Sequence, residues 1–300
     1  MLRLLGPVEI RAESGWLAAG SPRQRLVLAA LAVDAGRTVS VDALVDRVWG
    51  PEPPPNVRRT VHSYIARARR ALERMPAGAG GPVRVVNAGG GYRLDIDPER
   101  VDLHRFRRLV GQARAMVAAA PRGAALREAV GLWRGDPLIG LDGSWVERVR
   151  RSWRHEWVSA VVAWAETELA VGDPGDARGV VTDLVAEFPL DESLAGVLMK
   201  LLAAGGRKAE ALEHYTAIRD RLADELGIDP GPELRAVHRA LLRGELDPRP
   251  RPAPPPPAQL PSDLATFTGH RPADLAALLT SAEPGPAGRR WPRVATSSTP

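Results

Sequence analysis

Apolar and polar positions in the first hundred residues switch between a period of two and a period of nearly four. Short apolar runs at Leu2–Leu5 and Val8–Arg11 flank the turn pair Gly6-Pro7, and a third lies near Trp16–Ala19, so a small N-terminal sheet is predicted. From Ser21 the spacing becomes helical. Ser21-Pro22-Arg23-Gln24 combines a capping serine, a proline at the first helical position and a glutamine placed to return a capping bond, and the helix should run to about Ala35 before Gly36. After an extended link at Thr38–Ser40, Val41–Trp49 reads as a second helix with Leu44, Val45, Val48 and Trp49 inward and Gly50-Pro51 ending it. A third helix is predicted over Asn56–Arg74. At about 100° per residue, Ile65, Ala68 and Leu72 fall within about 40° of Val61, one apolar stripe. Arg59, Ser63, Ala66 and Arg70 lie opposite, flanked by His62 and Arg74, and Glu73 is the one acid of the stretch. Beyond a glycine-rich joint, Val83–Asn87 and Tyr92–Ile96 are predicted to pair as a hairpin through a turn at Ala88-Gly89-Gly90-Gly91.

Strands, helix, helix, basic helix and hairpin in that order describe a winged helix-turn-helix, in which the third helix enters a DNA major groove and the hairpin wing lies beside it. An ordinary solvated surface helix is the plain alternative for the arginine-rich stretch. From Val101 to Leu242 the pattern is helical throughout and repeats: Gly172, Ala177, Val181 and Leu184 recur 34 residues later as Gly206, Ala211, Tyr215 and Ile218. That is the tetratricopeptide period, with units expected at 157 to 190 and 191 to 224 and a turn at Gly227–Pro232 before a capping helix. The predicted fold is therefore mainly α with small β elements, a winged helix-turn-helix followed by an α-helical tetratricopeptide-like repeat domain. Stacked helix pairs suit protein binding, so a protein-binding scaffold with nonspecific DNA affinity is a second functional reading, and support of dimerisation alone a third. Trp153, Trp157 and Trp164 recur at helical spacing and read as core.

Charge sharpens this division. Residues 1 to 98 carry a net charge of +5, 99 to 245 of −2 and 246 to 300 of +2, so the positive excess accompanies the arginine helix. Arginine supplies 39 of the 41 basic residues, which codon usage can produce as readily as recognition chemistry. There is no cysteine, no run of 18 apolar residues and no leader pattern, so the expectation is a cytoplasmic protein without membrane association. Catalytic motifs are not found. His155-Glu156 would need a second histidine where Ser159 stands, no nucleophile elbow occurs, and Gly89-Gly90-Gly91 lies in a hairpin where a nucleotide fingerprint would precede a helix. The acids at 166 and 168, or 191 and 192, read as helix-surface or first-turn charges. No enzyme activity, cofactor or metal is expected.

The segments PRQRLVLAALAVDAGRTVSVDALVDRVWG, RRTVHSYIARARRAL and GGGYRL resemble the OmpR-type winged-helix domain of the SARP (antibiotic regulatory protein) transcriptional activators. VDLHRFRRLV, LWRGDPLIGL, WVERVRRSWRHEW and the stretch from Gly206 to Leu242 resemble the bacterial transcriptional activation domain that follows it in that family. The resemblance implies a winged-helix domain at 1–98 and an activation domain at 99–245, and 246–300 reads as a Pro-rich linker with a mostly disordered tail in which a short helix is expected at 273 to 279. The resemblance also implies binding to direct repeats near promoters of antibiotic-type gene clusters, protomers as a homodimer or head-to-tail oligomer on DNA, and contact with RNA polymerase including its sigma subunit. QLPSDLATFTGH, after the polyproline stretch Arg249–Pro257, resembles the junction that precedes an ATPase domain in larger members, but no P-loop follows and ATP dependence is not expected. By position on the third helix, Arg59, His62 and Ser63 are the candidates for base edges. Arg58, Thr60, Arg67, Arg69 and Arg70 are candidates for phosphates, Arg93 flanks the wing, and Tyr92 is a packing residue or a DNA contact.

Overall fold

A computed structural model describes residues 1–77, 81–172 and 174–246. The linker, the tail and the expected helix at 273 to 279 lie outside the described residues. At the N-terminus, β1 (Leu2–Arg3), β2 (Glu9–Ala12) and β3 (Gly15–Ala18) form an antiparallel sheet in that order. Helix α1 (Pro22–Ala32) follows, opened by the Gln24 side chain, which accepts from the Ser21 N–H at 2.7 Å. All seven residues from Leu26 to Ala32 are buried. That continuous burial follows from its surroundings: α2 (Val41–Trp49), α3 (Val57–Leu72) and the hairpin strand β6 (Gly91–Asp95) all pack on it, and three alanines in the run let them come close.

The second sheet has the order β4 (Thr38–Ser40), β6, β5 (Arg84–Ala88). Ala88 pairs with Gly91, so the hairpin turn is the two-residue Gly89-Gly90, tighter than the four-residue turn expected. Their φ angles of 50° and 85° are the left-handed values such a turn demands. Gly91 is required for another reason. A Cβ there would stand 2.1 Å from the Val39 carbonyl oxygen, because β4 crosses directly against it.

A short 3₁₀ turn (Pro98–Arg100) leads into the helical half: α4 (Asp102–Ala115), α5 (Ala119–Val130), α6 (Ser144–Val171), α7 (Gly175–Glu187), α8 (Glu192–Ala204), α9 (Lys208–Leu226) and α10 (Pro232–Leu242). Successive helices pack on each other, and α8 also contacts α6 and α10, which explains why nine of its 13 residues are buried. The 34-residue repeat has a physical basis here. Gly172 and Gly206 both take positive φ where one helix ends before the next, Ala177 and Ala211 are both 0% exposed where paired helices cross, and Val181, Leu184, Tyr215 and Ile218 fill the space between. Helix α6 starts at Ser144, thirteen residues before the expected repeat boundary, because Trp145, Val146 and Trp153 already bury a continuous helical stripe. Trp164 is buried as well, while Trp157 lies partly exposed and stacks on Trp133 at 5.1 Å. One surface assignment is overturned: Glu168 is buried, where it accepts from the Trp164 indole N–H at 2.8 Å and from Arg127 at 2.9 Å.

The described residues form one compact unit, and its two halves share a continuous apolar core. The join also has polar contacts, among them His104 Nε2 with the Ala32 carbonyl at 2.9 Å and a buried carboxylate. Asp102, fully buried at the start of α4, accepts from the backbone N–H groups of Leu4 (2.8 Å), Leu5 (3.2 Å) and Leu103 (2.8 Å) and pairs with Arg134. In return the Leu4 and Leu5 carbonyls accept from the N–H groups of Leu138 (3.0 Å) and Arg134 (2.9 Å). Burial pushes the Asp102 carboxyl above its ordinary value, while the Leu4 and Leu5 amides and Arg134 pull it back.

Candidate nucleic-acid interface

The apolar stripe of α3 fixes which side of the helix remains available. Val61, Ile65, Ala68 and Leu72 are buried against α1, α2 and the hairpin. Arg58, Arg59, His62, Ser63, Arg67 and Arg70 are consequently exposed. Asn56 turns the chain into the helix with a left-handed φ of 60°, and no acid occupies the first turn.

The ten residues singled out on α3 and the wing do not share one environment. Arg59, Ser63 and Arg70 are exposed with no side-chain partner among the described residues. Arg67 is exposed too and lies over the Tyr64 ring at 5.7 Å. Arg58 is exposed but paired with Asp42 of α2 at 2.6 Å. Thr60 is half-buried, its hydroxyl turned back to the Asn56 carbonyl at 3.4 Å. Arg93 is half-buried on β6, between Thr38 of β4 and Val86 of β5.

Arg69 and Tyr92 serve the protein's own geometry. The Arg69 Nε donates to the Val85 carbonyl at 2.8 Å and its Nη2 to the Asn87 Oδ1 at 2.9 Å, so its guanidinium is turned onto the wing. Tyr92 is 4% exposed, and its hydroxyl is hydrogen-bonded to Nδ1 of His62 with the two rings edge-to-face, 78° between planes. Burial raises the Tyr92 phenol above its ordinary value, with the Arg69 charge pulling the other way, so the hydroxyl stays protonated at neutral pH. Residues 62 and 69 are about two helical turns apart, roughly 10 Å along the axis. Helix and wing are thus fastened together at two levels, and the exposed arginines are held at a fixed angle to the hairpin. The pattern held a signal for this, since seven residues at about 100° return to within about 20° of the same direction. Lacking the position of the hairpin, it did not say what lay there. Asp42 gave no sign either, because its contact with Arg58 depends on the crossing of α2 and α3.

The arrangement presents positive charge, short polar groups and a rigid helix, which suits a polyanionic groove. Among the described residues, no group of three or more His, Asp or Glu side chains is placed to hold a metal ion, and no helix is long and apolar enough to cross a membrane.

Comparison with known proteins places the chain among transcriptional regulators. Residues 18–94 match the family described as transcriptional regulatory protein, C terminal, and residues 101–242 match the bacterial transcriptional activator domain. The chain is similar to the transcriptional regulator RedD of Streptomyces coelicolor, 39% identical over 248 residues covering 80% of this chain and 70% of RedD. It is also similar to the regulatory protein AfsR of Streptomyces griseus, 35% identical over 277 residues, covering 89% of this chain but only 28% of AfsR. Among solved structures, Mycobacterium tuberculosis EmbR in complex with a low-affinity phosphopeptide superposes with a TM-score of 0.72 and 34% identity, covering 83% of this chain and 66% of the other.

Proposed function

The chain belongs to the SARP family of transcriptional regulators, and on that premise we propose that it is a sequence-specific DNA-binding activator of a secondary-metabolite gene cluster. One observation carries the reading: Arg59, Arg67 and Arg70 stand exposed, without acidic partners among the described residues, on a helix braced against the wing. Attraction to phosphates brings the duplex in, and α3 then enters the major groove. Arg59, His62 and Ser63 face base edges from the first turns of the helix. Arg58, Thr60, Arg67 and Arg70 hold phosphates, with Arg58 exchanging Asp42 for the backbone, and Arg93 lies beside the wing. Arg69 and Tyr92 set the helix at its angle to the wing and leave the phosphates to the others. Residues 1–98 make the DNA-binding part and 99–245 the part that engages RNA polymerase, including its sigma subunit. Protomers line up head to tail on direct repeats, in the cytoplasm and on the nucleoid. No catalytic step is required of the chain.

Selection of the full chain's targets from random duplexes at roughly physiological salt tests this. A short motif recurring at about one helical turn is the expected result. Retention of duplexes without any motif would overturn it and favour a protein-binding scaffold with nonspecific DNA affinity.

A further inference from the structure

Tyr92 and His62 form a pair whose chemistry goes beyond bracing. Tyr92 sits in the central strand of its sheet, opposite Val39 on one side and Asn87 on the other, so its ring has little freedom. Its hydroxyl meets Nδ1 of His62, and no partner for Nε2 of His62 occurs among the described residues. His62 itself is exposed on α3, one residue before Ser63 and three after Arg59. A phenol hydroxyl both donates and accepts. No other acceptor for the buried Tyr92 hydroxyl occurs among the described residues, so facing a neutral imidazole it keeps its own proton paired by donating to Nδ1, which leaves the ring proton on Nε2. Facing an imidazolium it accepts from Nδ1–H, and Nε2 again carries a proton. In either state the outward nitrogen is a hydrogen-bond donor, and the buried tyrosine prevents the ring from turning over to present an acceptor.

We propose that Tyr92 is a positioning residue for base recognition: it holds His62 as an obligate donor directed at a guanine edge in the major groove. This rests on the DNA-recognition reading above. Guanine presents two adjacent acceptors there, N7 and O6, whereas cytosine presents the N4 amino donor and adenine sets its N6 amino group beside N7. A fixed donor therefore favours guanine and is opposed by cytosine. An unheld histidine would sample both tautomers and discriminate less.

Three measurements on the full chain test this. Nitrogen-15 NMR of His62 in the free protein is expected to show the Nε2–H tautomer, and Tyr92→Phe, which keeps the ring and its burial, is expected to show a mixture. Selection from random duplexes at one salt concentration is expected to give a motif position that prefers guanine. That preference falls about tenfold in both Tyr92→Phe and His62→Ala, with preferences at other positions unchanged. Placing 7-deazaguanine at that position should weaken the unaltered protein and leave His62→Ala unaffected. An Nδ1–H tautomer in the unaltered protein, or an unchanged base preference in both variants, would overturn the proposal. So would a loss spread evenly over all positions with a lowered melting temperature, which would mean that Tyr92 only supports the fold. If the unaltered protein selects no motif although His62 carries its proton on Nε2, the DNA-recognition reading itself fails and the guanine assignment falls with it.

Discussion

Arginines on the helical half and arginines on α3 are chemically the same side chain in different company. Across α4 to α9 many of them stand beside acids near the surface: Arg105 with Glu128, Arg107 with Glu156, Arg154 with Asp136 and Arg207 with Glu210. On α3, Arg59, Arg67 and Arg70 have no acidic partner among the described residues, and Arg58 alone of that helix makes an ion pair. Exposed pairs of this kind are each worth no more than about 1 kcal/mol, so stability is a weak reason for them. Their effect is to neutralise. What distinguishes the two regions is the charge left over after local pairing, and composition, which counts every arginine alike, cannot report it.

The largest expected effect separates the regions by stability. Asp102→Ala leaves the Leu4 and Leu5 amides without their acceptor and Arg134 without its partner in a buried setting, and a loss of about 3–5 kcal/mol is expected in urea unfolding. A loss below about 1 kcal/mol would mean that the Asp102 carboxylate contributes little to joining the two halves. On α3 the signs reverse, with stability nearly unchanged and binding altered. Arg59→Ala is expected to cost about 1–3 kcal/mol on the selected motif and to relax preference there, while Arg70→Ala weakens all sequences alike and lowers the salt slope by about one. Equal losses from both changes on every duplex would erase the distinction between base-reading and phosphate-holding positions. Arg107→Ala, which removes a paired arginine from α4, should leave DNA binding where it was.

The smallest effect concerns the far end of the helical half. His238 on α10 stacks on Tyr215 of α9 at 3.7 Å, and burial, with the Arg219 charge second, holds it below its ordinary value of 6.5. The unfolded chain therefore takes up this proton at a higher pH than the folded one. The contribution to stability is complete above 6.5 and declines as pH falls through the lowered folded value. Melting temperatures followed downward from neutral pH should drop more steeply for the unaltered protein than for His238→Gln. Parallel curves would show that the stack tolerates the charge.

Much of the fold was legible because it is written in short-range chemistry. The end of Val41–Trp49 was marked by its terminal glycine, the stripe of α3 by helical geometry, and the repeat by small residues that paired helices need wherever they cross. The candidate interface was legible only as a helix face. Arg69 read as one more phosphate ligand, and the structure turns it onto the wing; Glu168 read as surface, and the structure buries it beneath Trp164 and Arg127. In each case the deciding partner belongs to another element, or the direction in which the helix faces its neighbours was unknown.

By itself, then, the sequence determined the identity and order of the elements, the hairpin with its glycine turn, the basic helix and the 34-residue repeat, because caps, turns and apolar periodicity act over a few residues. Tertiary structure decided which arginines stay unneutralised, which nitrogen of His62 faces outward and how the two halves join. Those outcomes depend on contacts such as Tyr92 with His62, 30 residues apart, and Asp102 with Leu4, 98 residues apart, and no local period encodes a partner at that distance.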